Sequence, residues 1–167
     1  MPTSSVAPAD ILAFWRDAGP DRWYRPDPAF DAEVRRRFLD VWKQAAAGEL
    51  AAWEESDDGR LALVIVLDQF PRNMFRGDAQ TYASDARARE VAGRAIDAGA
   101  DRRIDPALRE FLYLPFMHSE RLEDQLRCLA LSQQAGPAER AKWAEHHPDI
   151  IPRFGRFPHR NPLLGRA

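Results

Sequence analysis

The chain has 167 residues, 45% of them hydrophobic and 30% charged, with a net charge of −2 and a pI near 6.1. That length supports one domain with a core of its own, and the charge balance argues against a nucleic-acid binder. A single cysteine, Cys128, excludes an internal disulfide and a multi-cysteine zinc site.

Residues 1–7 read as a disordered lead without the basic and apolar regions of a signal peptide. The longest apolar run is seven residues, far short of the ~20 that span a bilayer. The expected location is therefore cytoplasmic, with no membrane partner. Pro8 to Ala18 reads as a short amphipathic helix ended by Gly19 and Pro20. Asp21 to Pro26 is expected to be a loop whose Trp23 and Tyr24 pack on the core. Asp27 and Pro28 form a cap-plus-proline helix start. Phe30, Val34, Phe38, Val41, Trp42 and Ala45 then make a helical stripe that lasts to Gly48. A short helix around Leu50 to Trp53 follows, and Ser56 to Gly59 provide a turn and the next cap.

Leu61 to Leu67 is the apolar run, and the polar sequence Asp68-Gln69-Phe70-Pro71-Arg72-Asn73 follows it directly. Periodicity alone leaves strand and helix open here. A strand needs a neighbour to satisfy its backbone, and the chain has no second β-branched run, so helix is favoured. A helix apolar on every side is one surrounded by others. Pro71 is expected to end it.

Asp78 is placed to cap a long helix from Ala79 to Ala98, with Gly99 at its end. A loop spans Asp101 to Ile104, and Asp105 and Pro106 repeat the cap-plus-proline start. That helix is expected to break at Pro115. Ser119 can cap the next, with Leu122, Leu126, Leu129 and Ala130 on its buried line. Further helical stretches follow Gly136-Pro137 and pass through Trp143 and Ile150 to Phe154. The last residues, 155–167, are irregular and rich in proline and arginine. The expectation is all-α: an irregular array of about seven to nine helices, no sheet and no clean repeat, in one domain over 1–167.

Three polar clusters stand at the chain breaks: Asp68, Gln69, Arg72 and Asn73; His118, Ser119 and Glu120; and Arg153 to Asn161. A carboxylate directly after a buried run needs a cation or several donors, because an unpaired buried charge is costly. Arg72 and the tail arginines are the candidates, either as a structural clamp or as part of a pocket. His118 and Glu120 can serve as acid and base, or can hydrogen-bond a first helical turn. His-x-Glu lacks the Pro-Cys-x-x-Cys of the zinc deaminases, and His-Glu-x-x-His is absent, so no metal is expected. No nucleophile elbow and no glycine-rich phosphate loop is present, and no cofactor is expected. The arginines of the tail suit a phosphate or carboxylate.

LDQFPRN, FRG, FLYLPFMHSE and RFGRFPHRN together resemble a bacterial family of unknown function, DUF924, over about Ile11 to Gly165. The resemblance implies a fold similar to tetratricopeptide-type helical proteins without a regular repeat. It implies no activity. It puts Asp68, Gln69, Arg72, Asn73, His118, Glu120, Arg156, His159, Arg160 and Asn161 at motif positions. Family members usually continue past HRN-x-LLGR with an acidic, aromatic segment, whereas this sequence stops at Ala167, and His147-Pro148 interrupts what is often a continuous helix.

Three functions are open on this reading. One is a groove that binds a small anionic molecule or a peptide. Another is a cofactor-free hydrolase or acid–base enzyme built on His118, Glu120 or Asp68. The last is a structural module for protein–protein contact. Ligand and oligomeric state are open.

Overall fold

A computed structural model describes residues 6–135, and among them every regular element is helical. In chain order the α-helices are α1 (Pro8–Tyr24), α2 (Pro28–Ala46), α3 (Asp57–Val64), α4 (Phe70–Met74), α5 (Asp85–Asp97), α6 (Glu110–Met117) and α7 (Leu122–Ala135). A π-helical turn, Ile65–Gln69, joins α3 to α4. Among the described residues no helix is long and apolar enough to cross a membrane. Residues 1–5 and 136–167, with the helices expected after Gly136, lie outside the described residues.

Local chemistry sets most starts. Asp27 accepts from the Phe30 N–H at 3.1 Å and Ser56 from the Gly59 N–H at 3.0 Å, each satisfying a first-turn donor. Gly59 also answers a steric need: a Cβ there would stand 1.9 Å from the Trp53 carbonyl oxygen. The short 3₁₀ segment Ala51–Glu55 can therefore lie directly on α3.

The apolar run sits at the centre. Leu61 to Leu67 are all buried, and α3 with its π turn packs against α1, α2, α5 and α6. Around it Trp15, Phe30, Phe38, Phe70 and Phe111 form an aromatic cluster with centroids 5.0–6.2 Å apart.

Several boundaries differ from the sequence expectation. Val6 packs half-buried on the core, and the Ala7 N–H donates to Asp10, so the lead is ordered from residue 6. The break expected at Gly19 is present, but α1 does not end with it. It kinks there, with Gly19 at φ +70°, and resumes to Tyr24. Trp23 docks as expected, donating its indole N–H to the Trp15 carbonyl at 2.8 Å, but Tyr24 is exposed. Pro115 lies inside α6, where every residue from Phe111 to Phe116 is buried and packing outweighs the one lost hydrogen bond.

Pro71 likewise does not end the central helix, which runs on to Met74. Proline brings no N–H, and its ring crowds the carbonyl four residues back, here that of Leu67. Two features accommodate it. The π turn widens the helix, with the Phe70 N–H reaching back five residues to Ile65. Ser84 then donates its hydroxyl to the Leu67 carbonyl at 2.6 Å and accepts from the Trp42 indole at 3.0 Å. The expected long helix from Ala79 is divided as well. A 3₁₀ turn, Ala79–Tyr82, precedes α5, and the break brings Ser84 and Asp85 to the central segment.

Candidate functional site

The π turn carries Asp68 and Gln69 into the interior instead of releasing them at a helix end. Asp68 is 1% exposed and Gln69 7%. Asp68 holds three side-chain partners. His118 Nδ1 lies 2.9 Å from its Oδ1, Gln69 Nε2 donates to Oδ2 at 2.8 Å, and Arg72 Nη1 approaches Oδ1 at 3.5 Å. Arg72 also donates to the Asp68 carbonyl and makes a two-pronged pair with Asp85, at 2.9 and 3.1 Å.

Burial alone would raise the Asp68 pKa. The neighbouring charges of His118 and Arg72 and the hydrogen bonds from His118 and Gln69 outweigh it and hold the carboxyl at about 2. Asp68 is therefore ionised at neutral pH and can only accept. The hydrogen between it and His118 then belongs to Nδ1, and Nε2 is the ring nitrogen turned away from the carboxylate. Arg72 is held charged: burial would lower its pKa, but Asp68 and Asp85 raise it further. One guanidinium thus bridges two buried carboxylates, and the cluster carries a net negative charge unless the imidazole is protonated.

His118 ends α6, with its N–H on the Leu114 carbonyl at 2.9 Å. The turn after it is fixed by Gln125 of α7, 1% exposed, whose amide donates to the carbonyls of Met117 and Ser119 on either side of His118. Ser119 accepts from the Arg121 N–H and donates to Asp124. The backbone is thereby held on both sides of His118, while 21% of its side chain reaches the surface.

The structure thus joins two of the clusters across 50 residues of sequence. Glu120 is half-buried in the turn before α7, and the carboxylate in contact with His118 is that of Asp68. Asn73 sits apart, donating to Asp31 at 2.9 Å, and Asp31 also binds Arg76. Arg153, Arg156, His159, Arg160 and Asn161 lie outside the described residues. Asp85, Ser84 and Gln125 complete the site and were not anticipated from sequence. Asp85 at the start of a helix looks like any first-turn acid, and only its spatial meeting with Arg72 distinguishes it. Among the described residues no three His, Cys, Asp or Glu side chains are grouped to hold a metal ion.

The fold and site describe an all-helical protein with a buried Asp–His–Arg cluster. The chain belongs to the bacterial proteins of unknown function grouped as DUF924, whose family model matches residues 11–167. It is similar to a solved structure of a protein of unknown function from Agrobacterium tumefaciens, at 48% identity and a TM-score of 0.90. The match covers 96% of this chain and 90% of that one. Among curated proteins none matches.

Proposed function

We propose that His118 is a general acid–base residue for a small-molecule reaction and that Asp68 positions it. The observation that carries this reading is the 2.9 Å contact between a carboxylate 1% exposed and an imidazole 21% exposed. A buried, ionised acid that fixes the tautomer and aim of a surface-reaching imidazole is the arrangement acid–base catalysis needs. Gln69 and Arg72 hold the carboxylate in turn, and Gln125 holds the backbone of the imidazole. Such layered support favours a positioned group over an incidental ion pair. Gln69, Arg72 and Asn73, first considered as ligand contacts, here serve the framework.

The reading supposes a hydrolytic or proton-transfer reaction in which no cofactor takes part. Its test has two parts. A panel of nitrophenyl esters, phosphates and glycosides is hydrolysed by the wild type and not by His118→Asn, while both show the same far-UV circular dichroism. Diethyl pyrocarbonate modifies His118 in the wild type, and the pH profile of that modification moves in Asp68→Asn. Equal hydrolysis by His118→Asn, or a pH profile indifferent to Asp68, would remove the proposal.

A further inference from the structure

A second polar cavity lies away from the Asp68–His118 pair and shares no residue with it. Its volume is about 370 Å³, within the range of small-molecule sites. Asp101, Arg102, Arg109, Tyr113, Leu131 and Gln134 line it, so it is walled by the 3₁₀ turn Ala100–Arg102, α6 and α7.

The charges in this cavity are unevenly spent. Asp101 is buried and accepts from the Tyr113 hydroxyl at 2.8 Å. Its backbone carbonyl accepts from Nε of Arg109, also at 2.8 Å. That bond anchors the half-buried guanidinium by its inner nitrogen. Among the described residues no acceptor meets the two terminal nitrogens of Arg109 or the guanidinium of Arg102. Three other surface arginines each hold a carboxylate: Arg94 that of Glu54, Arg103 that of Asp57 and Arg76 that of Asp31, all at 2.6–2.8 Å. Two guanidiniums at one cavity against a single carboxylate, itself held by a tyrosine, leave a positive site of metabolite size.

We propose that this cavity binds a small organic oxyanion, a carboxylate or a phosphate ester, through Arg102 and Arg109. A planar guanidinium presents parallel N–H groups that match two oxygens of either anion, and anchoring at Nε fixes the plane of Arg109 in advance. The amide of Gln134 offers a further hydrogen bond, and Leu131 gives an apolar wall for the body of the ligand. The site stands independently of the acid–base reading of His118.

The test is an amide NMR titration of the full chain with inorganic phosphate and, separately, with succinate, at ionic strength held constant with chloride. Saturable shifts confined to the backbone near 100–113 and 131–134 support the site. The anion that saturates at lower concentration names the class. Arg102→Gln, at an exposed position, should leave the melting temperature unchanged and weaken binding about tenfold, the scale of one charge-assisted hydrogen bond. Arg109→Lys should weaken it similarly while keeping the charge, and His118→Asn should bind as the wild type does. Absence of saturation with both anions, or equal binding by Arg102→Gln, overturns the proposal.

Discussion

Asp68 is a residue whose neighbours reverse what its burial would do. Taken out of water alone it would be neutral, yet His118, Arg72 and Gln69 hold it ionised with a pKa of about 2, below the ordinary 3.8. A depressed folded-state pKa contributes stability that is present above the unfolded value and lost as pH falls through the folded one. Asp68 should therefore contribute about 2 kcal/mol above pH ~4 and lose it between about pH 4 and pH 2. Asp68→Asn should lower stability at pH 7 by a similar amount and flatten the acid limb of the curve. Urea unfolding at a series of pH values measures both. The requirement for a cation was legible in the sequence from the step between Leu67 and Asp68. Its fulfilment was legible only in part: Arg72 lies four residues on, but His118 is distant in the chain and comes within reach only through the packing of α6.

The central helix shows how an element survives a residue that should end it. A proline beside the preceding turn was read as a stop because local sterics disfavour the helix there. The π turn Ile65–Gln69 relieves the crowding, and Ser84 replaces the donor that Pro71 lacks. Ser84 is thus the joint between α2, the central helix and the start of α5, since it also accepts from Trp42. Ser84→Ala leaves a buried carbonyl and an indole N–H without this partner. It should cost about 1–3 kcal/mol, read as a fall in the urea midpoint with an unchanged slope. An outcome within a few tenths of wild type would mean that water or a shift in the backbone serves Leu67 equally well. Helix starts at Asp27, Ser56 and Asp105 were legible because a cap acts within three residues of itself. The break at Gly19 was legible for a similarly local reason, whereas the break at Ala83 was not, because Ser84 and Asp85 beside it answer to other elements.

Across the described part of the molecule the aromatic residues set the arrangement of helices. Phe70 lies fully buried between Trp15 of α1 and Phe38 of α2, with centroids 5.7 and 5.0 Å away. It is also the first residue after the π turn, so the same side chain seats the core and the polar cluster. Phe70→Ala should destabilise by about 3–5 kcal/mol through lost burial and the cavity left behind. Loosening the turn should also weaken the Asp68–His118 contact, visible as greater hydrogen exchange at His118 and Ser119 than at the start of α2. Uniform exchange across these segments would show that core and cluster are not coupled in this way.

By itself the sequence determined the helical class, the central place of Leu61 to Leu67 and the need of Asp68 for partners. Those follow from periodicity, from the absence of a partner strand and from the energetic need of a carboxylate beside an apolar run, all of which act over a few residues. It left the LDQFPRN stretch ending at Pro71, with its acid awaiting a distant tail. Only the tertiary structure decided that the helix passes through Pro71, that Asp68 is buried and that His118, Arg72 and Asp85 gather around it. The reason is physical. A missing backbone donor and a buried charge must be met by groups from other helices, and the local sequence does not specify which helices pack there.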